Sequence, residues 1–407
     1  MKKTFTSGLV AISIALSLGY TAATQADDKI TLSMWHHHPE WRDKTEAILA
    51  AFEEAHPNIT IDLEEIAGTN YTARLNTALA AGEAPDLFGL PAGPETATAA
   101  ASGYAADLTG LLDTDSLRGA ALEAIDNDGK IYGVPILGAY SVGLYYHRDI
   151  LADLGMEPPT NQAEFMSMCK SMLDKGITPL VVPASDGIVP SFIYSMLTSS
   201  VTGAEGFAEL RQGKRKFTDP DMLEAARFLQ DMAKCMQPGA VSTPYVEGKA
   251  LAALKQGAMM PGGSADYPGY QEINPDVDLG VVPFPGVGDN KPATVTGLEY
   301  IYVVNAKSEH QEAAVTFLNW MLGDEAQQMV VDTITMTTNK NVVPAENRIL
   351  EEFVQAARVN DVRVFYELPE ISPVWNTIQQ NAAALLLGEM SPEEFAQLAQ
   401  DAVKLSN

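Results

Sequence analysis

The chain has 407 residues, of which 46% are hydrophobic and 19% are charged, and its formal net charge is −27. This length exceeds what one compact core normally supports, so we expect two globular units, and the composition excludes a disordered or fibrous protein. The negative charge argues against nucleic acids and anionic membrane surfaces as partners, because both are bound mainly through Lys and Arg.

The first 26 residues have the three parts of a secretory signal peptide. Lys2 and Lys3 give a positive start, an apolar run covers residues 8–19, and small residues lead to Ala26. The run is too short to span a bilayer comfortably. We therefore predict export to the periplasm with cleavage near Ala26, and a mature protein that does not insert into the membrane.

Extended segments and amphipathic helices alternate along the rest of the chain. Strands are predicted at 29–35, 59–66, 86–90, 178–183, 279–283 and 300–305. Helices are predicted at 44–55, 71–81, 164–175, 222–236, 309–322, 345–359, 373–387 and 392–405. This α/β order is typical of mostly parallel sheets covered by helices, in which ligands bind at loops beyond the carboxyl ends of the strands.

The sequence contains two cysteines, Cys169 and Cys235, and each falls on a predicted helix. Export to an oxidising compartment makes a disulfide between them possible. Two buried free thiols are the alternative, and both interpretations stay open.

Seven short segments carry a family resemblance when they are taken in chain order. They are F-E-E-A-H-P-N-I-T-I (52–61), Y-T-A-R-L-N-T-A-L-A-A-G-E-A-P-D-L-F (71–88), D-G-K-I-Y-G-V-P (128–135), L-Y-Y-H-R-D-I-L (144–151), L-E-Y-I-Y-V-V-N-A-K-S (298–308), P-E-I-S-P-V-W (369–375) and G-E-M-S-P-E-E-F (388–395). Each is weak alone, but their order and spacing together are specific. The chain resembles the bacterial extracellular solute-binding proteins of family 1, which include maltose-binding protein.

The resemblance implies a two-lobed periplasmic binding protein fold of type II-like topology, with solute held in a cleft that closes by a hinge motion. It assigns residues 27–138 and 298–338 to the N-terminal lobe, and residues 139–297 and 339–407 to the C-terminal lobe. It implies a non-catalytic monomer without a cofactor or a bound metal. Such a protein captures a sugar or small oligosaccharide and delivers it to the permease subunits of an ABC importer.

Candidate ligand residues follow from the chemistry of sugars, whose apolar C–H faces and hydroxyls need aromatic rings and fixed hydrogen-bonding groups. Trp35 and Trp375 are the candidate stacking rings, with core packing as the alternative for each. The polar candidates lie in cleft loops, on a helix facing the cleft or at the crossovers between lobes: His36, His38, Glu40, Tyr71, Asp86, Tyr140, Ser264, Asp266 and Glu299. Structural roles stay open for Glu40, Asp86 and Glu299.

Two segments depart from the maltose-binding pattern. Where that pattern has a Gly-Pro-Trp turn, this chain has P-G-G-S-A-D at 261–266, and the loop L-P-A-G at 90–93 also lacks a tryptophan. Two stacking surfaces are therefore missing. We expect a smaller or more polar solute than maltose or a long maltodextrin.

Three alternative functions are weighed against this interpretation. The run His36-His37-His38 invites a zinc site, but neighbours in an extended chain point to opposite sides and no H-E-x-x-H motif or cysteine pair supports it. The adjacent Tyr145 and Tyr146 raise a ferric-ion or polyamine-type binding protein of the same fold, although strand neighbours do not chelate one ion together. A secreted carbohydrate-active enzyme remains as the third, without a G-x-S-x-G elbow, a P-loop lysine or a dinucleotide fingerprint to support it.

Overall fold

The computed structural model describes residues 1, 29–37, 41–66, 68–127, 129–333, 336–344, 347–368 and 370–403. Residues 2–26 of the predicted signal peptide therefore lie outside the described residues, as do His38 and Glu40. Within the described ranges, no helix has the length and apolar character needed to cross a membrane.

Strands and helices alternate over the described residues. The strands are β1 (Ile30–His36), β2 (Ile59–Glu65), β3 (Leu87–Leu90), β4 (Asp126–Asn127), β5 (Lys130–Ile131), β6 (Gly133–Val134), β7 (Ala139–His147), β8 (Met259–Gly263), β9 (Leu279–Val282), β10 (Thr294–Leu298), β11 (Ile301–Val304) and β12 (Asp361–Arg363). The α-helices are α1 (Arg42–Ala55), α2 (Gly68–Ala81), α3 (Pro94–Ala101), α4 (Gly119–Ile125), α5 (Arg148–Leu154), α6 (Gln162–Leu173), α7 (Ile188–Arg211), α8 (Pro220–Met232), α9 (Tyr245–Ala253), α10 (Tyr267–Ile273), α11 (Gln311–Leu322), α12 (Asp324–Thr333), α13 (Arg348–Ala357), α14 (Ser372–Leu387) and α15 (Pro392–Ala402). Short 3-10 helices cover Ala233–Cys235, Ala240–Ser242 and Phe365–Glu367.

The first sheet has the strand order β2-β1-β3-β11-β6. β1 pairs in parallel with β2 and β3, and β11 runs antiparallel to both of its neighbours. The helix α1 packs one face inward because Ile48, Leu49 and Phe52 recur at helical spacing, and all three are buried. Together with α2 and α11, these elements enclose one hydrophobic core, which we call the first lobe.

The second sheet has the order β12-β10-β7-β8, and β9 also pairs with β7. β8, β9 and β10 all run antiparallel to β7, so β7 is the one reversed strand among those described for this sheet. Its core includes α6, α7, α8, α14 and α15, and we call this unit the second lobe. The mostly parallel sheets flanked by helices, predicted from the sequence, are thus confirmed.

The chain passes between the lobes at two short crossovers that lead into the reversed strands. The first crossover, residues 135–138, joins β6 to β7, and the second, residues 299–300, joins β10 to β11. The chain passes over again between α12 and α13, where Val331 and Met336 already pack with residues of the second lobe. The residue boundaries assigned to the two lobes from the sequence remain a prediction.

The strand predicted at 178–183 is wrong. Leu180 makes isolated bridges to Met236 and Met259, and no continuous ladder forms over this described segment. Pro179 and Pro183 lack the N–H groups that a continuous ladder needs.

A disulfide joins Cys169 on α6 to Cys235 in the 3-10 helix after α8, with their Cα atoms 5.6 Å apart. Both side chains are buried in the core of the second lobe. The bond therefore ties two helices of one lobe together and does not bridge the hinge.

Candidate functional site

A cavity of about 460 Å³ opens where the parallel strands of the second sheet end. Pro261, Gly262 and Gly263 line it from the end of β8, and Glu299 lines it from the second crossover just after β10. Tyr140 reaches it from the start of the reversed strand β7. This is the edge at which ligands bind in open α/β sheets.

The cavity wall combines apolar and acidic side chains. The apolar contacts come from the first residues of α7 and from β7: Val142, Ile188, Val189 and Phe192. The polar groups are Tyr140, Asp186, Tyr245, Asp266 and Glu299. An apolar surface with a few fixed polar groups is the usual make-up of a small-molecule site.

The carboxylate of Asp266 is held in place by two hydrogen-bond donors and one ion pair. It accepts hydrogen bonds from the hydroxyl of Tyr245 at 2.5 Å and from the backbone N–H of Gly263 at 2.7 Å. Lys249 Nζ lies 3.3 Å from its other oxygen. Burial, and next the nearby Asp266 charge, raise the pKa of Tyr245, so its hydroxyl stays protonated and able to donate. The sequence-predicted Asp266 is thus a preorganised acceptor at the cavity wall.

An aromatic cluster lies behind the cavity. The hydroxyl of Tyr140 is hydrogen-bonded to that of Tyr366, and the Tyr140 ring meets Phe192 edge to face with centroids 6.2 Å apart. Trp375, near the start of α14, contacts Phe192 at 4.9 Å and Tyr366 at 5.1 Å. Trp375 is 8% exposed and does not line the cavity, but it packs against Phe192, which does, so its ring supports the wall and is not an open stacking surface.

The candidates on β1 lie away from this cavity. The guanidinium of Arg74 sits over the Trp35 ring, 4.4 Å from its centroid, and is itself bound to Glu64 at 2.6 and 2.9 Å. His36 is 1% exposed and its Nδ1 is hydrogen-bonded to the hydroxyl of Tyr302. One face of Trp35 is therefore covered by a cation, and His36 serves the core of the first lobe.

Tyr71 and Asp86 hold strands of the first sheet together. The Tyr71 hydroxyl accepts from the N–H of Gly89 at 2.9 Å and donates to its carbonyl at 2.8 Å, and burial raises the pKa of Tyr71. The carboxylate of Asp86 accepts from Ser33 at 2.7 Å and from Ser308 at 2.6 Å. Burial works to raise the pKa of Asp86, but these hydrogen bonds outweigh it and lower that pKa. The hydrogen bonds of both side chains therefore stabilise the fold of the first lobe.

Ser264 and Glu299 complete the predicted set among the described residues. Ser264 is 3% exposed, its hydroxyl accepts from the N–H of Ser141 at 3.2 Å, and its own N–H donates to the Ser141 carbonyl at 2.8 Å. It therefore extends the pairing of β7 with β8 and does not line the cavity. Glu299 does line it, and its N–H donates to the Gly138 carbonyl at 3.3 Å, which joins the two crossovers.

The structure thus brings Tyr140, Asp266 and Glu299 into one cavity, with Trp375 behind Phe192. The other described candidates lie in the first lobe or in the β7–β8 ladder. Among the described residues, no group of three or more His, Cys, Asp and Glu side chains is placed to hold a metal ion.

Comparison with known proteins identifies the family. Residues 38–328 match the family described as bacterial extracellular solute-binding protein. The chain belongs to this family. The multiple sugar-binding protein of Streptococcus mutans is 23% identical over 338 residues, which cover 80% of this chain and 79% of that protein. The melibiose/raffinose/stachyose-binding protein MelE of Bacillus subtilis is 22% identical over 413 residues, which cover 98% and 95%.

Solved structures of this kind confirm the two-lobed α/β fold. The apo form of RafE from Streptococcus pneumoniae superposes with a TM-score of 0.77 at 19% identity, over 91% of this chain and 98% of that one. In this solute-binding protein the cavity lies at the edge of the second lobe that meets the crossovers.

The sequence did not predict several residues of the cavity wall, among them Asp186, Phe192 and Tyr245. Each sits at a helix start that the sequence marks, by the Asp186-Gly187 pair before α7 and by Pro244 before α9. Gly187 has φ +73°, and a Cβ there would lie 2.2 Å from the Gln379 carbonyl. The close packing of α7 on α14 that this glycine allows places Phe192 at the cavity.

Proposed function

We propose that this solute-binding protein captures a sugar or short oligosaccharide in the 460 Å³ cavity and delivers it to the permease of an ABC importer. The observation that carries the proposal is the pairing of an apolar, aromatic wall at Phe192 and Tyr140 with the fixed carboxylate of Asp266. A sugar ring offers C–H faces to the first and hydroxyl donors to the second. The names of the relatives, which bind multiple sugars or melibiose, raffinose and stachyose, support the same ligand class.

The solute is short. Ligand pockets commonly have volumes of about 300–1,000 Å³, and 460 Å³ lies in the lower part of that range. Gly262 and Gly263 lie at the end of β8, where the family resemblance would place a tryptophan turn, and they offer no aromatic surface to a longer solute. Glu299 lies at a crossover and is the group best placed to sense the solute as the lobes close.

The protein acts after export, as a non-catalytic monomer that is cleaved near Ala26 and works beside the membrane with permease subunits. Membership of an extracellular family and the composition of residues 1–26 support this proposal. The positions of the Tyr145 and Tyr146 hydroxyls do not support the ferric-ion alternative. The Tyr145 hydroxyl donates to the Gly263 carbonyl at 2.8 Å, whereas that of Tyr146 accepts from Arg148 at 3.1 Å, so the two hydroxyls serve different partners.

A thermal-shift panel tests the proposal directly. Protein that begins at Asp27 is melted with melibiose, raffinose, stachyose, short xylo- and chito-oligosaccharides and monosaccharides, and with spermidine and ferric citrate as controls. A solute that binds the folded form raises the midpoint by mass action. We expect at least one saccharide to raise it and the two controls to leave it unchanged. A shift with spermidine or ferric citrate and with no saccharide would reject the ligand class.

A further inference from the structure

One short turn contacts both crossovers. This clamp turn is the 3-10 helix Phe365–Glu367. The Tyr366 hydroxyl is hydrogen-bonded to that of Tyr140, the second residue after the first crossover. Glu367 Oε1 accepts a hydrogen bond of 2.6 Å from the N–H of Leu298, the residue just before the second crossover.

The clamp turn also touches the first lobe. Gly93 follows β3 and has φ +99°, and a Cβ built on it would lie 2.5 Å from the Glu367 carbonyl oxygen. Only a glycine allows this backbone to rest so closely on the turn. Three contacts from three parts of the chain therefore meet at two consecutive residues, Tyr366 and Glu367.

The same turn is linked to the cavity through aromatic rings. Tyr366 contacts Trp375 at 5.1 Å, and Trp375 contacts Phe192 at 4.9 Å. Phe192 and Tyr140 both line the cavity, whereas Tyr366 and Glu367 do not. A solute that moves either lining ring therefore acts on the clamp turn without touching it.

Burial of the Glu367 carboxylate in the clamp turn costs free energy. Its residue is 0% exposed, and its Oε2 lies 3.5 Å from Arg363 Nε, which is ion-pair range without a hydrogen bond. Arg363 also donates from Nη2 to the Glu367 carbonyl at 3.0 Å. Burial raises the pKa of Glu367 to about 7, with Arg363 opposing and Glu299 reinforcing the shift. An apolar side chain of the same size would avoid this cost, but it would leave the Leu298 N–H without its acceptor.

We propose that Tyr366 and Glu367 are positioning residues that couple the filling of the cavity to the angle between the lobes. Tyr366 transmits movement of the cavity wall, and Glu367 fixes the second crossover against the turn. Loss of either contact lets the crossovers move independently, so the lobes sample a wider range of angles and a solute closes them less effectively. The coupling of solute binding to the angle between the lobes rests on the proposed function. The contacts by which the clamp turn fixes the crossovers do not depend on it.

The test measures the distance between the lobes with spin labels. The chain contains two cysteines and both are in the disulfide, so engineered thiols are labelled selectively. Thr98→Cys on α3 and Val246→Cys on α9 place one label on each lobe at exposed positions. Pulsed electron paramagnetic resonance then gives the distribution of distances without sugar and with raffinose. Melting of the same samples reports whether the fold is intact.

Matched variants separate the clamp from general effects on the fold. Tyr366→Phe removes one hydroxyl, and its control is Tyr194→Phe, a fully buried tyrosine of the same core whose hydroxyl has no hydrogen-bond partner among the described residues. Glu367→Leu removes the acceptor, and Glu367→Gln keeps it. Glu352→Gln is the control carboxylate, because it also accepts from a strand N–H, that of Val281, and pairs with an arginine, but lies away from the crossovers.

We expect Tyr366→Phe and Glu367→Leu to broaden the sugar-free distribution and to weaken binding of raffinose by roughly three- to tenfold, the range for one lost hydrogen bond. Glu367→Gln and both controls should match the wild type. Unchanged distributions in Tyr366→Phe, or equal broadening in Tyr194→Phe, would overturn the proposal. If raffinose fails to bind the wild type, raffinose is not the solute, and if no saccharide of the panel binds, the ligand class is rejected. Broadening in the sugar-free samples would support the clamp in either case.

Discussion

Phe192 and Trp375 meet edge to face with ring centroids 4.9 Å apart, and of the two it is Phe192 that faces the cavity. Trp375 is 8% exposed and belongs to the core of the second lobe. The relationship separates two roles, since one ring is placed to contact a solute and the other supports it.

Trp375→Ala should therefore destabilise the protein without solute. Truncation of a buried tryptophan commonly costs about 3–5 kcal/mol, because a cavity is left behind. Urea unfolding of the solute-free protein measures this. A variant with unchanged stability and abolished sugar binding would return Trp375 to the role of an open stacking surface.

Asp266→Asn should weaken binding of whichever sugar stabilises the wild type most. The substitution removes the charge that Lys249, Tyr245 and Gly263 hold in place, and a charge-assisted hydrogen bond to a sugar hydroxyl is worth about 1.5–3 kcal/mol. Titration calorimetry should show roughly a tenfold or greater loss of affinity. Asp276→Asn, on an exposed loop of the same lobe, is the control and should bind as the wild type does. Equal affinities in all three proteins would remove Asp266 from the site.

The disulfide between Cys169 and Cys235 should stabilise the second lobe. It closes a loop with a sequence separation of 66, for which the chain-entropy model gives about 4 kcal/mol. Reduction, or the double variant Cys169→Ser/Cys235→Ser, should lower the midpoint of urea unfolding and leave sugar affinity nearly unchanged, since neither residue lines the cavity. Two free thiols in protein isolated from the periplasm would contradict the bond.

Stability should fall as pH rises through the window set by Glu367. Burial raises the pKa of this carboxyl from 4.5 to about 7 in the folded protein, so between these values the folded state binds more protons than the unfolded state. By linkage, the free energy of unfolding has its full contribution from protonated Glu367 below the unfolded pKa, and this contribution is lost as pH rises towards 7. The facing groups are Arg363, Glu299 and Tyr366.

Glu367→Gln isolates this contribution. The free energy of unfolding of the wild type, minus that of the variant, should decrease by up to about 3 kcal/mol from pH 4 to pH 8. Urea unfolding at intervals across that range measures the difference, in which other titrating groups cancel. A difference that stays constant would show that folding does not shift the pKa of Glu367.

Much of the fold followed from short-range patterns. The strand predicted at 29–35 is observed as Ile30–His36, and the helix predicted at 71–81 as Gly68–Ala81, because two- and 3.6-residue periods are local properties. β1 ends one residue later than predicted, at His36, and this difference changes the role of that residue. His36 continues the buried face of Leu32 and Met34, so the alternation itself places its side chain in the core.

The site was harder to predict because its contacts are distant in sequence. Asp86 is held by Ser33, 53 residues away, and by Ser308, 222 residues away. Tyr366 meets Tyr140 across 226 residues. The local periodicity of a sequence does not reveal contacts between such distant residues. A carboxylate that links two strands therefore cannot be told from a ligand-binding carboxylate by sequence alone.

A paired calorimetric titration of Phe192→Ala and Trp35→Ala determines whether the cavity beside Phe192 is the sugar site. The Trp35 ring lies on the first lobe under Arg74, whereas Phe192 lines the cavity. With the saccharide that stabilises the wild type most, Phe192→Ala should lose about 2 kcal/mol of binding free energy, or more than tenfold in affinity, and Trp35→Ala should bind as the wild type does. Retained affinity in Phe192→Ala together with lost affinity in Trp35→Ala would place the sugar site in the first lobe and not in this cavity.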